Sequence, residues 1–119
     1  MDNKGVGRIL NEFMKVKGVT AVALVGRDGF VIESVTNINV DMDALGAMVA
    51  TAVGTGETLG SEFGFGGLES FLTEYANGKI LMATALDDVL AIFTDTTSVI
   101  GGVRYAVKKN MPDVIRALQ

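Results

Sequence analysis

The 119-residue sequence has no cysteine, no histidine, no tryptophan and a single proline. Without cysteine there are no disulfides and no thiolate nucleophile. Without histidine there is no Ser–His–Asp relay and no Cys/His zinc site. Catalysis would have to rest on carboxylates, lysine, arginine, tyrosine, serine or threonine. The lack of cysteine fits a reducing cytoplasm. Long apolar runs are missing as well. The longest uncharged stretch in the middle of the chain, Ala44 to Gly56, covers 13 residues, and a bilayer span needs roughly 20. The opening residues, MDNKGVGRIL, lack the apolar core of a signal peptide. These absences predict a cytoplasmic chain with no membrane insertion.

What is present is apolar. Hydrophobic residues make up 49% of the chain and the mean hydropathy is +0.39. A chain of this length suits a single domain over residues 1–119. Small domains expose much of their surface, so this apolar content predicts that some of it is hidden between copies. The net charge of −4 is unevenly spread. Residues 1–19 and 97–119 carry eight Lys/Arg against three Asp/Glu, while residues 20–96 carry two against eleven. Solvated faces of opposite sign are the plain reading.

Lys4 to Lys17 has apolar residues at Val6, Ile9, Leu10, Phe13 and Met14, a helical spacing that Gly18 stops. Thr20–Val25 and Phe30–Thr36 read as strands around Asp28-Gly29, which suits a type I′ hairpin. Asp41 to about Phe63 reads as a long helix capped by Asp41 or Asp43. One broad arc of it holds Met42, Leu45, Met48, Val49, Ala52, Val53, Leu59 and Phe63, and a second holds small residues only, Gly46, Ala47, Ala50, Gly54 and Ser61. Glycine weakens a helix by roughly 1 kcal/mol against alanine. Because the small residues share a side, close approach of another helix is favoured over tolerated weakness. Leu68–Tyr75, Ile80–Leu86 and Val89–Thr94 read as a meander turned at Asn77-Gly78 and Asp87-Asp88. Ser98–Lys109 reads as a closing helix that Pro112 breaks or kinks. The expected fold is α/β (α+β): one five-stranded antiparallel sheet between helices, in the order α-β-β-α-β-β-β-α.

The tempting chemical motifs fail on context. GRDG (Gly26 to Gly29) is followed by a strand, where a phosphate loop needs a helix start. The run GTGETLGSEFGFGG (Gly54 to Gly67) has its third glycine one residue late for GxGxxG and lies within a helical pattern. No GK[ST] occurs. Asp87-Asp88 reads as a polar turn, since adjacent carboxylates diverge and no further ligand is near in sequence. The basic residues have only Tyr105 as a neighbouring aromatic, which argues against nucleic acid. No catalytic, cofactor-binding or metal-binding residue is assigned.

The order of elements resembles the roadblock / dynein light-chain domain. GVTAVALVGRDGFVIES (Gly18 to Ser34) is similar to that family's strand–DG–strand signature. The Ala/Gly-rich long helix, the NGK hairpin and the closing helix with its late proline fit too. The resemblance covers nearly the whole chain and implies a roadblock/profilin-like fold. It implies dimers whose middle helices pack together and whose third strands pair edge to edge. It also implies a platform for small Ras-like GTPases or a dynein accessory subunit; one bacterial relative is the partner and activating protein of a motility GTPase.

On this footing the expected function is a non-catalytic homodimeric regulator or scaffold of a small GTPase. The alternatives are a structural assembly subunit with no GTPase partner or, third, a small-molecule sensor. The expected dimer interface is Gly46, Ala50 and Gly54 on the helix with Leu68, Ser70, Leu72 and Glu74 on the strand. The expected partner surface is the polar strip Thr51, Thr55, Thr58 and Glu62, flanked by Asp43 and Glu57.

Overall fold

The computed structural model describes residues 3–119; Met1 and Asp2, which belong to the N-terminal reading above, lie outside the described residues. Eight elements follow in the expected order: α1 (Asn3–Met14), β1 (Val19–Val25), β2 (Val31–Thr36), α2 (Met42–Glu62), β3 (Ser70–Tyr75), β4 (Gly78–Ala85), β5 (Asp88–Thr94) and α3 (Ile100–Leu118). Every strand pairing is antiparallel, and the sheet order is β2-β1-β5-β4-β3. The first hairpin and the later meander therefore join through β1 and β5, and β2 and β3 are the edges.

Alternation along the strands makes two cores. Val22, Leu24, Leu90 and Ile92 point to one face, which α1 and α3 close with Leu10, Phe13 and Val103. Ala23, Val25, Val89 and Ala91 point to the other, beneath Val49 and Val53 of α2. Cover on both faces explains why β5 reads as an almost continuous apolar run. It also puts the basic ends of the chain, in α1 and α3, on one side of the sheet and the acidic α2 on the other.

The turns depart from expectation. No type I′ turn forms at Asp28-Gly29. The Gly29 N–H donates to the Gly26 carbonyl at 2.9 Å and the Gly26 N–H to the Phe30 carbonyl at 2.9 Å. Gly29 has φ +90°, but Asp28 is not left-handed, and type I′ needs positive φ at both central residues. The result is a turn of ordinary hand closed by a left-handed glycine, with a register shift at Leu24/Val25. At the second site the loop is Ala76-Asn77, closed by the pair Tyr75–Gly78, and Gly78 opens β4 without positive φ. The third loop is Leu86-Asp87 and Asp88 already belongs to β5.

Leu86 has φ +55°, a conformation in which the Cβ of an L-residue crowds its own carbonyl. Asparagine visits that region more readily. Leu86→Asn is expected to raise stability by about 1 kcal/mol, measured by urea unfolding. An unchanged midpoint would show that the tight pairing of Ala85 with Asp88 holds this backbone without strain.

Pro112 does not end the last helix. α3 runs through it to Leu118. Proline withholds one N–H, the one that would serve the Lys108 carbonyl. The burial of Val114, with Met111, Ala117 and Leu118 packed on the same core, offsets that loss. At the other end of the sheet, α2 closes with a Schellman motif: Phe65 N–H reaches the Gly60 carbonyl at 2.9 Å and Gly64 N–H the Ser61 carbonyl at 3.1 Å. Gly64 supplies the left-handed residue that this motif requires, φ +67°.

Candidate functional site

Two glycines fix the roll of α2 on the sheet. A Cβ on Gly56 would stand 2.8 Å from the Phe71 ring of β3, and one on Gly46 would stand 2.6 Å from the Gly29 carbonyl oxygen. Gly46 is thus buried beneath its own β1–β2 hairpin and offers no surface to a second chain. Asp43, Ala50 and Glu57, spaced by seven, follow the flank nearest that hairpin. Ala50 is half-buried there, and Glu57 forms an ion pair with Arg27 of the hairpin. Gly54 lies in the open, with nothing within 4 Å of an added Cβ.

Thr51, Gly54, Thr55, Thr58 and Glu62 come together with Leu59 around one shallow depression on the outer face of α2, about 490 Å³ in volume. The hydroxyls are turned onto the helix backbone. Thr51 donates to the Ala47 carbonyl at 2.9 Å, Thr55 to that of Thr51 at 3.0 Å and Thr58 to that of Gly54 at 3.1 Å. Each hydroxyl spends its proton inside the helix, so the free ends of these side chains are methyl groups. The strip reads as polar in sequence and presents an apolar ridge with one carboxylate, Glu62, at its end.

Three residues assigned to the core arc are outside it. Met48, Leu59 and Phe63 are each more than 60% exposed. Phe65 is also exposed, and its ring stacks on Phe63 with centroids 5.4 Å apart. Leu59, Phe63, Phe65 and Leu68 border a second hollow of about 470 Å³ between the end of α2 and the start of β3. The signal was present in the sequence: the apolar arc is wider than the roughly 100° stripe that one sheet contact buries.

The adjoining edge is open. Tyr75 pairs with Gly78 across a two-residue loop, so the backbone groups of Tyr75, Thr73 and Phe71 face β4, while those of Ser70, Leu72 and Glu74 face outward. Two hydrogen bonds fix this parity: Thr84 N–H donates to the Glu69 carbonyl at 3.2 Å, and Lys79 N–H turns to β5, meeting Thr94 Oγ1 at 3.2 Å. The side chain of Thr73 alternates with that of Leu72 onto the α2 face. Its Oγ1 is buried and has no partner among the described residues.

Arg27 anchors the electrostatics of the neighbouring sheet end. Burial, and then the charge of Asp87, push the Asp88 carboxyl above its ordinary pKa, and Arg27 pulls it partly back. Asp95 is held below its ordinary value by hydrogen bonds from the Thr97 hydroxyl and N–H. Among the described residues no three acidic side chains gather as metal ligands, and no helix is long and apolar enough to cross a membrane.

Residues 5–94 match the family model described as "Roadblock/LC7 domain". The chain belongs to the Roadblock/LC7 family. An uncharacterized protein of Methanocaldococcus jannaschii is 37% identical to it over 113 residues, covering 95% of both chains. Among solved structures, Myxococcus xanthus MglB superposes with a TM-score of 0.92 at 21% identity, over 98% of this chain and 90% of MglB. Profilin IA of Acanthamoeba castellanii superposes with a TM-score of 0.66 at 15% identity, over 98% of both chains. These two likenesses establish the shared fold. In this Roadblock/LC7 chain the exposed apolar flank of α2 and the open edge of β3 lie side by side.

Proposed function

We propose that the chain is a homodimeric, non-catalytic regulator or scaffold for a small Ras-like GTPase in the cytoplasm. The observation that carries the dimer is the free β3 edge beside the exposed Leu59, Phe63 and Phe65 at the end of α2. An open edge and an apolar patch are each a liability to a lone monomer, and one partner covers both. The parity of β3 limits the register, and the centre that matches all three outward-facing residues lies at Leu72. A two-fold axis at Leu72 sets Leu72 against its own copy and Ser70 against Glu74, so that every outward-facing backbone group finds a match. A centre at Thr73, which sets Leu72 against Glu74, keeps the same parity, whereas a centre midway between two residues sets outward groups against inward ones. Gly54, Ala50 and Leu68 complete the candidate interface.

The GTPase reading rests on the family, whose members serve as platforms for such proteins. The candidate docking surface is the paired α2 helices: Asp43, Thr51, Thr55, Thr58 and Glu62, with Glu57 held back by Arg27. Acidic residues there steer association, which slows as salt screens them.

Light scattering tests the dimer. Wild type is expected at twice the chain mass of 12.5 kDa, and Met48→Glu/Leu59→Glu at once that mass with its circular dichroism intact. A stable wild-type monomer at micromolar concentration overturns it. Immobilised dimer is then expected to retain a small GTPase in one nucleotide state only, and Glu62→Lys to weaken retention without dissociating the dimer. A dimer that retains no GTPase in either state leaves a structural assembly subunit as the reading.

A further inference from the structure

The α1/α3 side of the sheet carries a groove unrelated to the α2 surface. α3 packs along β4, and beside it a trough of about 780 Å³ runs to β3, walled by Ser70 and floored by Leu81 and Ala83. The α3 wall is one continuous stripe, Arg104, Val107, Lys108, Met111, Pro112 and Ile115. Its steps of three and one make the ridge that a second helix packs against. Arg104 and Lys108 form its cationic rim, and neither has an ion-pair partner among the described residues. The one acid of α3, Asp113, is taken by Arg116 at 2.9 Å. Glu69 lines the far, β3 side of the groove, so the cations are confined to the α3 wall, which carries Arg104 and Lys108 and no acid, on a chain of net charge −4. Pro112 gives no N–H to the Lys108 carbonyl on the same wall.

We propose that this groove receives an acidic amphipathic helix of a partner protein. Apolar side chains of that helix lie on Val107, Met111, Ile115 and Leu81, and its carboxylates meet Arg104 and Lys108. The stripe from Arg104 to Ile115 is long enough for about three turns at 1.5 Å per residue. A helix fits because the wall is a helix; an extended segment would go to the β3 edge instead. A second copy added at β3 lengthens the sheet floor and leaves the α3 wall uncovered. The groove lies on the opposite side of the sheet from α2, so this proposal and the GTPase reading fail separately.

The probe is a fluorescein-labelled peptide of about 18 residues, long enough to hold a helix. It carries leucine at i, i+3, i+4 and i+7, glutamates flanking the stripe and alanines elsewhere. A sister peptide has lysine for every glutamate. Fluorescence anisotropy at low salt is expected to show binding of the acidic peptide only. Arg104→Glu/Lys108→Glu is expected to weaken it by roughly tenfold or more. Lys15→Glu/Lys17→Glu makes the same change of net charge in the turn between α1 and β1 and is expected to leave affinity within about twofold. Thermal unfolding checks that both variants fold. No binding of the acidic peptide, equal binding of the two peptides, or equal loss in the two variants overturns the proposal.

Discussion

Gly18→Ala is expected to destabilise the chain by about 2–4 kcal/mol, the sum of a left-handed penalty and overpacking. Gly18 ends the turn between α1 and β1 with φ +86°, where a Cβ crowds the following carbonyl. That Cβ would also lie 2.5 Å from the backbone nitrogen of Ser98 and 2.6 Å from its α-carbon. Ser98 cannot retreat cheaply. Its N–H and hydroxyl both reach the Asp95 carbonyl, and the Asp95 N–H is tied at 2.8 Å to the Gly18 carbonyl. The contact pins the segment entering α3 against the exit of α1. Urea unfolding measures the loss. Gly18→Asn separates the two causes, because asparagine relieves the backbone strain and not the clash. An asparagine variant as stable as wild type would show that the segment yields and that the close approach is not needed.

The two hairpin glycines are expected to tolerate asparagine to different degrees. Gly78 sits in a strand without positive φ, and its Cβ would lie 2.3 Å from the Thr94 carbonyl oxygen. That carbonyl belongs to the β4–β5 ladder, so Gly78→Ala and Gly78→Asn are each expected to cost about 2–3 kcal/mol. Gly29 has φ +90°, and its Cβ would meet the Ala47 α-carbon at 3.2 Å, which a small shift of the hairpin relieves. Gly29→Val is expected to cost roughly 2–3 kcal/mol, and Gly29→Asn less than half of that. The comparison is read from denaturant midpoints. Rescue of position 78 by asparagine would restore the left-handed turn that the Asn-Gly dipeptide suggests.

Periodicity in the sequence was enough for the order and type of all eight elements. Alternation in TAVALV and VLAIFT, helical spacing in Val6–Met14 and the Gly/Asp punctuation are local signals. They act within a few residues, so they survive without knowledge of the partners. The family was legible through the same pattern. Hairpin geometry was not, because a dipeptide such as Asn77-Gly78 states a preference while the pairing of Tyr75 with Gly78 sets which two residues form the loop. Nor was the passage of α3 through Pro112, since the burial that offsets a missing hydrogen bond lies on another element. The outward placement of Ser70, Leu72 and Glu74 follows from that same pairing.

The surface of α2 shows the division most clearly. The sequence by itself determined that this helix is amphipathic, rich in small residues and wider in its apolar arc than one contact needs. Only the tertiary structure decided the roll. The close seat of Gly46 under the hairpin and of Gly56 on Phe71 turns Met48 and Leu59 outward and ties Glu57 to Arg27. A helical pattern repeats every turn and leaves rotation about its own axis undetermined. The two backbone-to-sheet approaches that glycine permits fix that rotation, and with it which residues a partner can reach.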